Sequence, residues 1–125
     1  MYLILLIGVG GFVGAVLRHL IGGWIQNSFI SFPLGTLGVN FLGSFCLSLV
    51  MYLSEYRGFF TEETRVFLTI GLLGAFTTMS TFGYESFKLF EQEEMLLFGI
   101  NIIGTITLVF IGVYLGKFVV VDLMR

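Results

Sequence analysis

Charge is what this chain has least of. Of its 125 residues only 11% are Asp, Glu, Lys or Arg, against roughly 25% in a soluble domain, whose surface must face water. Proline, cysteine and histidine occur once each. The lone cysteine, Cys46, excludes an internal disulfide and has no companions at metal-ligand spacing, so it reads as a small packing residue. The lone histidine, His19, stands beside Arg18, with no serine partner or ligand set in reach, and reads as interfacial rather than catalytic. These shortages argue against an enzyme. A net charge of −2 gives no basis for a polyanionic partner such as nucleic acid.

What is present is apolar sequence, 57% hydrophobic with a mean hydropathy of +1.02. Formal charge is absent from Met1 to Leu17, between Arg18 and Glu55, from Val66 to Tyr84 and from Met95 to Gly116. Each interval can supply most or all of the ~20 apolar residues that cross a ~30 Å hydrocarbon layer. The expected architecture is therefore all-α and membrane-embedded. It is one domain over residues 1–125, with spans near 2–26, 33–54, 65–90 and 95–121. The N-terminal run has no positive n-region and reads as a first span rather than a signal peptide.

The joins carry their own signals. Gln26, Asn27 and Ser28 form a polar break, and Pro33 suits a first helical turn, where its missing N–H is no loss. Arg57, Glu62 and Glu63 make the next loop wet, with Thr61 placed to cap the third span. Gly10 and Gly14, and again Gly112 and Gly116, lie four apart and predict close approach of helix backbones. The cluster Gly8, Gly10, Gly11, Gly14 is no dinucleotide loop, because Val13 stands where the third glycine would be needed. Four spans put both termini and the Glu55–Thr64 stretch on one side, with Arg57, Arg65, Lys117 and Arg125 there against Arg18 and Lys88 opposite. That bias is weak enough to permit insertion in both orientations.

One span is not purely apolar. Gly71–Glu85, GLLGAFTTMSTFGYE, sets Thr77, Thr78, Ser80, Thr81 and Glu85 at membrane depth. A single hydroxyl usually bonds its own carbonyl one turn back, and Glu85 has Lys88 three residues on as a simple partner. Glycine and threonine together, however, disfavour continuous helix. A break here would release main-chain groups of the kind that hold small ions in membranes. Span two adds Asn40, and span four adds Asn101, Thr105 and Thr107. Amide and hydroxyl donors without a mid-membrane Lys or Arg favour a small anion over phosphate.

Three segments in order, GGFVGAVLR at 10–18, PLGTLGVN at 33–40 and GLLGAFTTMSTFGYE at 71–85, resemble the Fluc (CrcB) fluoride channels, and the resemblance runs over essentially the whole chain. It implies an antiparallel, dual-topology homodimer in the plasma membrane of a prokaryote, surrounded by lipid, passing cytoplasmic fluoride outward down its gradient. It implies that Asn40 faces a pore, and that a structural sodium ion at the dimer interface is held by the carbonyls of Gly74 and Thr77. Phe82 matches the second of the family's two anion-facing phenylalanines, while the first position is Met79. A methionine keeps bulk and polarizability without a ring edge, so a narrow pore that still conducts is expected. Ser80, Thr81, Glu85 and Thr105 would continue the polar track, and Val109 stands where the family often has another hydroxyl. Arg18 is expected at a vestibule. The rival readings are a proton-coupled small multidrug exporter, which needs a carboxylate deep in span one that this chain lacks, and a non-transporting membrane subunit.

Overall fold

A computed structural model describes residues 1–27 and 31–125; Ser28 of the expected polar break lies outside the described residues. Helix α1 covers Tyr2–Gln26, and its 25 residues at 1.5 Å each reach roughly 37 Å, enough to cross a bilayer. Helix α2 is Leu34–Arg57, one residue after Pro33 and three residues longer at its end than the charge pattern implied. The third span, Glu62–Glu91, begins three residues earlier than expected. It consists of α3 (Glu62–Val66), a π-helical stretch Phe67–Leu73, α4 (Gly74–Phe76) and α5 (Met79–Glu91). Helix α6, Met95–Phe118, continues as a π-helical turn to Leu123. The four spans are long and apolar enough to cross a membrane.

Local chemistry explains the ends. Thr61 Oγ1 accepts from the Thr64 N–H at 3.3 Å and caps α3, as its sequence position implied. Helix α2 stops at Gly58, whose φ of +58° is the left-handed turn that closes a helix without a Cβ penalty. The opposite end of α2 is capped from another helix. Gln26 Oε1 accepts from the Gly35 N–H at 2.9 Å while its Nε2 donates to the Phe32 carbonyl at 2.9 Å. At the far end Arg57 donates to the Met124 carbonyl, and Tyr2 and Leu6 share a hollow with Glu63 and Thr64. Both termini and the α2–α3 loop therefore lie together, as four crossings require.

The glycine pairs act as close-approach points. A Cβ on Gly10 would come within 2.8 Å of the Phe67 carbonyl oxygen, and one on Gly14 would fall on the Leu72 main chain. The wide π-helical turn of span three thus seats directly on α1. Its own Gly71 meets Ile7 and Gly10. Gly112 and Gly116 perform the same service between α6 and α2, against Phe41, Phe45 and Ser48. Ser48 then donates to the Val113 carbonyl at 2.6 Å, adding a polar tie where only dispersion would otherwise act. Cys46 falls outside that stripe and is exposed, so the packing role read for it is not what the fold gives it.

Candidate functional site

Span three is interrupted at two residues. Thr77 (φ −84°, ψ 156°) and Thr78 (φ −151°, ψ 118°) are extended between α4 and α5. Extended backbone at membrane depth is tolerated only against protein or a cavity, and the partner here is Asn40. Its Nδ2 donates to the Thr78 carbonyl at 3.0 Å, and its Oδ1 accepts from the Thr78 N–H at 2.8 Å. Because a backbone N–H can only donate, this pairing fixes which end of the amide is oxygen. One Nδ2–H then remains for another acceptor. Gly43, one turn further along α2, makes the approach feasible, since a Cβ there would collide with Thr77 Cγ2 and lie 3.1 Å from Phe76.

The hydroxyls divide into two groups. Thr69 and Thr77 donate to carbonyls one turn back, Arg65 at 2.8 Å and Leu73 at 3.0 Å, the ordinary behaviour of threonine in a membrane helix. Thr78 instead caps α5: its Oγ1 accepts from the Thr81 N–H at 3.3 Å and donates to Thr81 Oγ1 at 3.0 Å. That arrangement leaves the hydroxyl hydrogen of Thr81 available. Ser80 is exposed and stands 3.5 Å from Thr78 Oγ1.

Two hollows meet at Thr78. The first, about 270 Å³, is lined by Asn40, Ser44, Thr77, Met79, Phe82, Thr105 and Val109 among others. The second, about 230 Å³, is lined by Arg18, Gln26, Thr36, Thr81 and Glu85. A third, about 360 Å³, shares Gln26 and Glu85 with the second and opens among Lys88, Gln92 and Glu94. Shared lining residues thus make a line of mainly apolar hollows, set with polar side chains, from the middle of α2 to the outer end of α5. Of the residues singled out from the sequence, Asn40, Met79, Phe82 and Thr105 fall on the first hollow, and Arg18, Thr81 and Glu85 on the second. Ser80 and Gly74 line none of these hollows and are exposed.

Glu85 departs from its simplest reading. Lys88 pairs with Glu91 at 2.9 Å, not with Glu85, because Lys88 is exposed and finds its partner at the helix end. Glu85 turns inward, where Thr36 Oγ1 donates to its Oε1 at 2.9 Å, while Oε2 is buried without a partner among the described residues. Thr36 and Ser44 were not singled out from the sequence, and Gln26 was read only as part of a polar break. Each is an ordinary polar residue near a helix start or in an apolar run, and only the pairing of α2 with α1 and α5 gives it a role.

A second polar cluster joins α5 to α6. Asn101, 1% exposed, donates from Nδ2 to Ser86 Oγ at 2.9 Å, and Ser86 donates to the Phe82 carbonyl at 2.7 Å. Thr105 donates to Asn101 Oδ1 at 3.4 Å, a long and therefore weak bond. This chain of bonds fixes the turn that carries Phe82, which is only 6% exposed, whereas Met79 one turn earlier is 78% exposed. Thr107 is exposed and lines none of these hollows.

Fold and site together define a class: an all-helical, four-span membrane protein whose third span is broken beside a line of hollows set with polar side chains. Residues 5–117 match the family described as CrcB-like protein, Camphor Resistance (CrcB). The chain belongs to that family, and it is a multi-pass protein of the cell membrane. Its relatives include "Fluoride-specific ion channel FluC 1" of Methanosarcina acetivorans, 64% identical over 117 residues, covering 94% of this chain and 89% of the relative. "Fluoride-specific ion channel FluC 3" of Methanosarcina barkeri is 60% identical over 117 residues with the same coverage. "Fluoride-specific ion channel FluC" of Methanococcus vannielii is 47% identical over 114 residues, 91% of this chain and 92% of that one.

Proposed function

We propose that this chain is a passive, fluoride-selective channel that lets cytoplasmic fluoride leave the cell down its gradient. The observation that carries the reading is Asn40: both ends of its amide are fixed on the Thr78 main chain, with one N–H left at the wall of the first hollow. Fluoride is small and strongly hydrated. Moving it through an apolar layer requires donors already in place, because an uncompensated charge in such surroundings is very costly. Hydrogen bonds to an ion are roughly twice as strong as neutral ones. The Asn40 amide, the Thr81 hydroxyl and the edge of Phe82 can serve in turn, with Thr105 swinging from its long bond to Asn101. Arg18 lines the second hollow with Glu85, and Thr36 holds that carboxylate to the wall. Relatives bearing the name of fluoride-specific channels over nine-tenths of this chain favour fluoride among small anions.

The working unit in this reading is an antiparallel pair of identical chains with lipid around it. Gly74, Met79 and Ser80 are each exposed on this chain, flanking the break, and so available to a second copy. The residues present fit a structural sodium ion there. In an unbroken helix the Gly74 carbonyl would accept from Thr78 and the Thr77 carbonyl from Thr81, but those N–H groups donate to Asn40 Oδ1 and Thr78 Oγ1 instead. Two carbonyls from each copy would surround the ion without any acidic side chain, as at other broken membrane helices. When bound, sodium supplies fixed positive charge near the anion route.

The test is fluoride release from liposomes carrying the purified chain, followed with a fluoride electrode and with chloride as control. Fluoride release without chloride release is expected. Absence of fluoride-selective release contradicts the reading, and proton-coupled cation export would favour the small multidrug exporter.

A further inference from the structure

We propose that Asn40 and Thr78 are positioning residues for the cation site, one shaping each of the two carbonyls that would hold sodium. The inference rests on the sodium reading above and goes beyond it by assigning how the carbonyls become available.

Thr78 is the hinge of the arrangement. Its N–H is the natural donor to the Gly74 carbonyl, and Asn40 Oδ1 takes it at 2.8 Å from a position 38 residues away in sequence. Its Oγ1 takes the Thr81 N–H at 3.3 Å, and that N–H is the natural donor to the Thr77 carbonyl. The carbonyls relieved of helical partners in this way are those of Gly74 and Thr77, three apart on the same broken turn. The Thr77 hydroxyl donates to the Leu73 carbonyl at 3.0 Å, which ties that side chain back along α4. A bare glycine or threonine in the sequence would not achieve this, since either can be accommodated in a continuous membrane helix.

The second Asn40 bond, Nδ2 to the Thr78 carbonyl at 3.0 Å, keeps the peptide plane from rotating back into the helical position. Asn40 also lines the first hollow. One side chain therefore both holds the break open and presents a donor to the anion, which ties the cation site to the conduction route.

The experiment titrates the thermal unfolding midpoint of the full-length purified protein with sodium chloride, using N-methyl-D-glucamine chloride to hold ionic strength. Fluoride is omitted, so the readout is independent of transport. Wild type should be stabilised saturably by sodium. Asn40→Ala returns the Thr78 N–H to Gly74 and should raise the half-saturating sodium concentration about tenfold or more, the usual effect of losing a residue that orients a metal ligand. Thr78→Val removes the cap and should do the same, while Thr78→Ser keeps the hydroxyl and should titrate like wild type. Unchanged half-saturation in Asn40→Ala overturns the proposal while the sodium reading stands; if Asn40→Ala does not fold, Thr78→Val decides on the same criterion. No sodium response in wild type overturns the sodium reading itself, and this proposal with it.

Discussion

Thr36 on α2 donates its hydroxyl to Glu85 on α5 at 2.9 Å, joining residues 49 apart in sequence across the second hollow. This is the only partner of a carboxylate whose other oxygen is buried without one, among the described residues. Thr36→Val keeps the shape and removes the donor. We expect it to destabilise the protein by about 1 kcal/mol, the typical net worth of a single intramolecular hydrogen bond. Fluoride release should slow as well, while Thr36→Ser should restore both. Thermal unfolding and liposome release measured on the same preparations check this.

At Asn40 the chemistry of the replacement decides the outcome. Asn40→Asp preserves size and an acceptor for the Thr78 N–H, but opposes a carboxylate to the Thr78 carbonyl and offers no donor to an anion. Fluoride release should fall by about tenfold or more, since tenfold is only ~1.4 kcal/mol of lost stabilisation. Release at the wild-type rate would remove Asn40 from the anion route.

Two glycines of α1 should behave in opposite ways. A Cβ on Gly14 meets the Leu72 main chain, which cannot move aside without displacing the π-helical turn, whereas a Cβ on Gly8 meets nothing within 4 Å. Gly14→Ala should cost about 1–3 kcal/mol, as overpacking does. Gly8→Ala should be neutral or stabilising by up to ~1 kcal/mol, because alanine favours helix over glycine. Unfolding midpoints of the two variants in one detergent make the comparison.

Met79 is 78% exposed on its own chain, so a larger side chain there has open space to occupy. Met79→Phe should therefore fold as wild type does and still conduct fluoride in preference to chloride, with a change in rate rather than in selectivity. Loss of selectivity in liposome release would show that the methionine itself sets the filter.

The four spans were legible because formal charge is sparse and leaves four long apolar intervals, and the break because Gly74, Thr77 and Thr78 oppose continuous helix in an otherwise apolar run. The close-approach glycines were legible from their spacing of four. The partner of Asn40 was not, since nothing in an apolar α2 says that an amide will bind the main chain of another span. Nor was the π-helical turn at Phe67–Leu73, whose sequence has no period that separates it from an α-helix. For Glu85, expected on the polar track, the sequence offers Lys88 as the simple partner, and tertiary packing gives it Thr36 instead. Ser86 escaped notice because its role depends on Asn101, brought to it only when α6 folds against α5.

The central claim, passive selective passage of fluoride, is tested most directly by current across a planar bilayer containing the purified protein. With a tenfold fluoride gradient and equal chloride on both sides, the current should reverse near the fluoride equilibrium potential, about 59 mV for a singly charged ion. Imposing a pH gradient should leave that reversal where it is. A reversal that follows chloride, or one that moves with the pH gradient, would contradict the account.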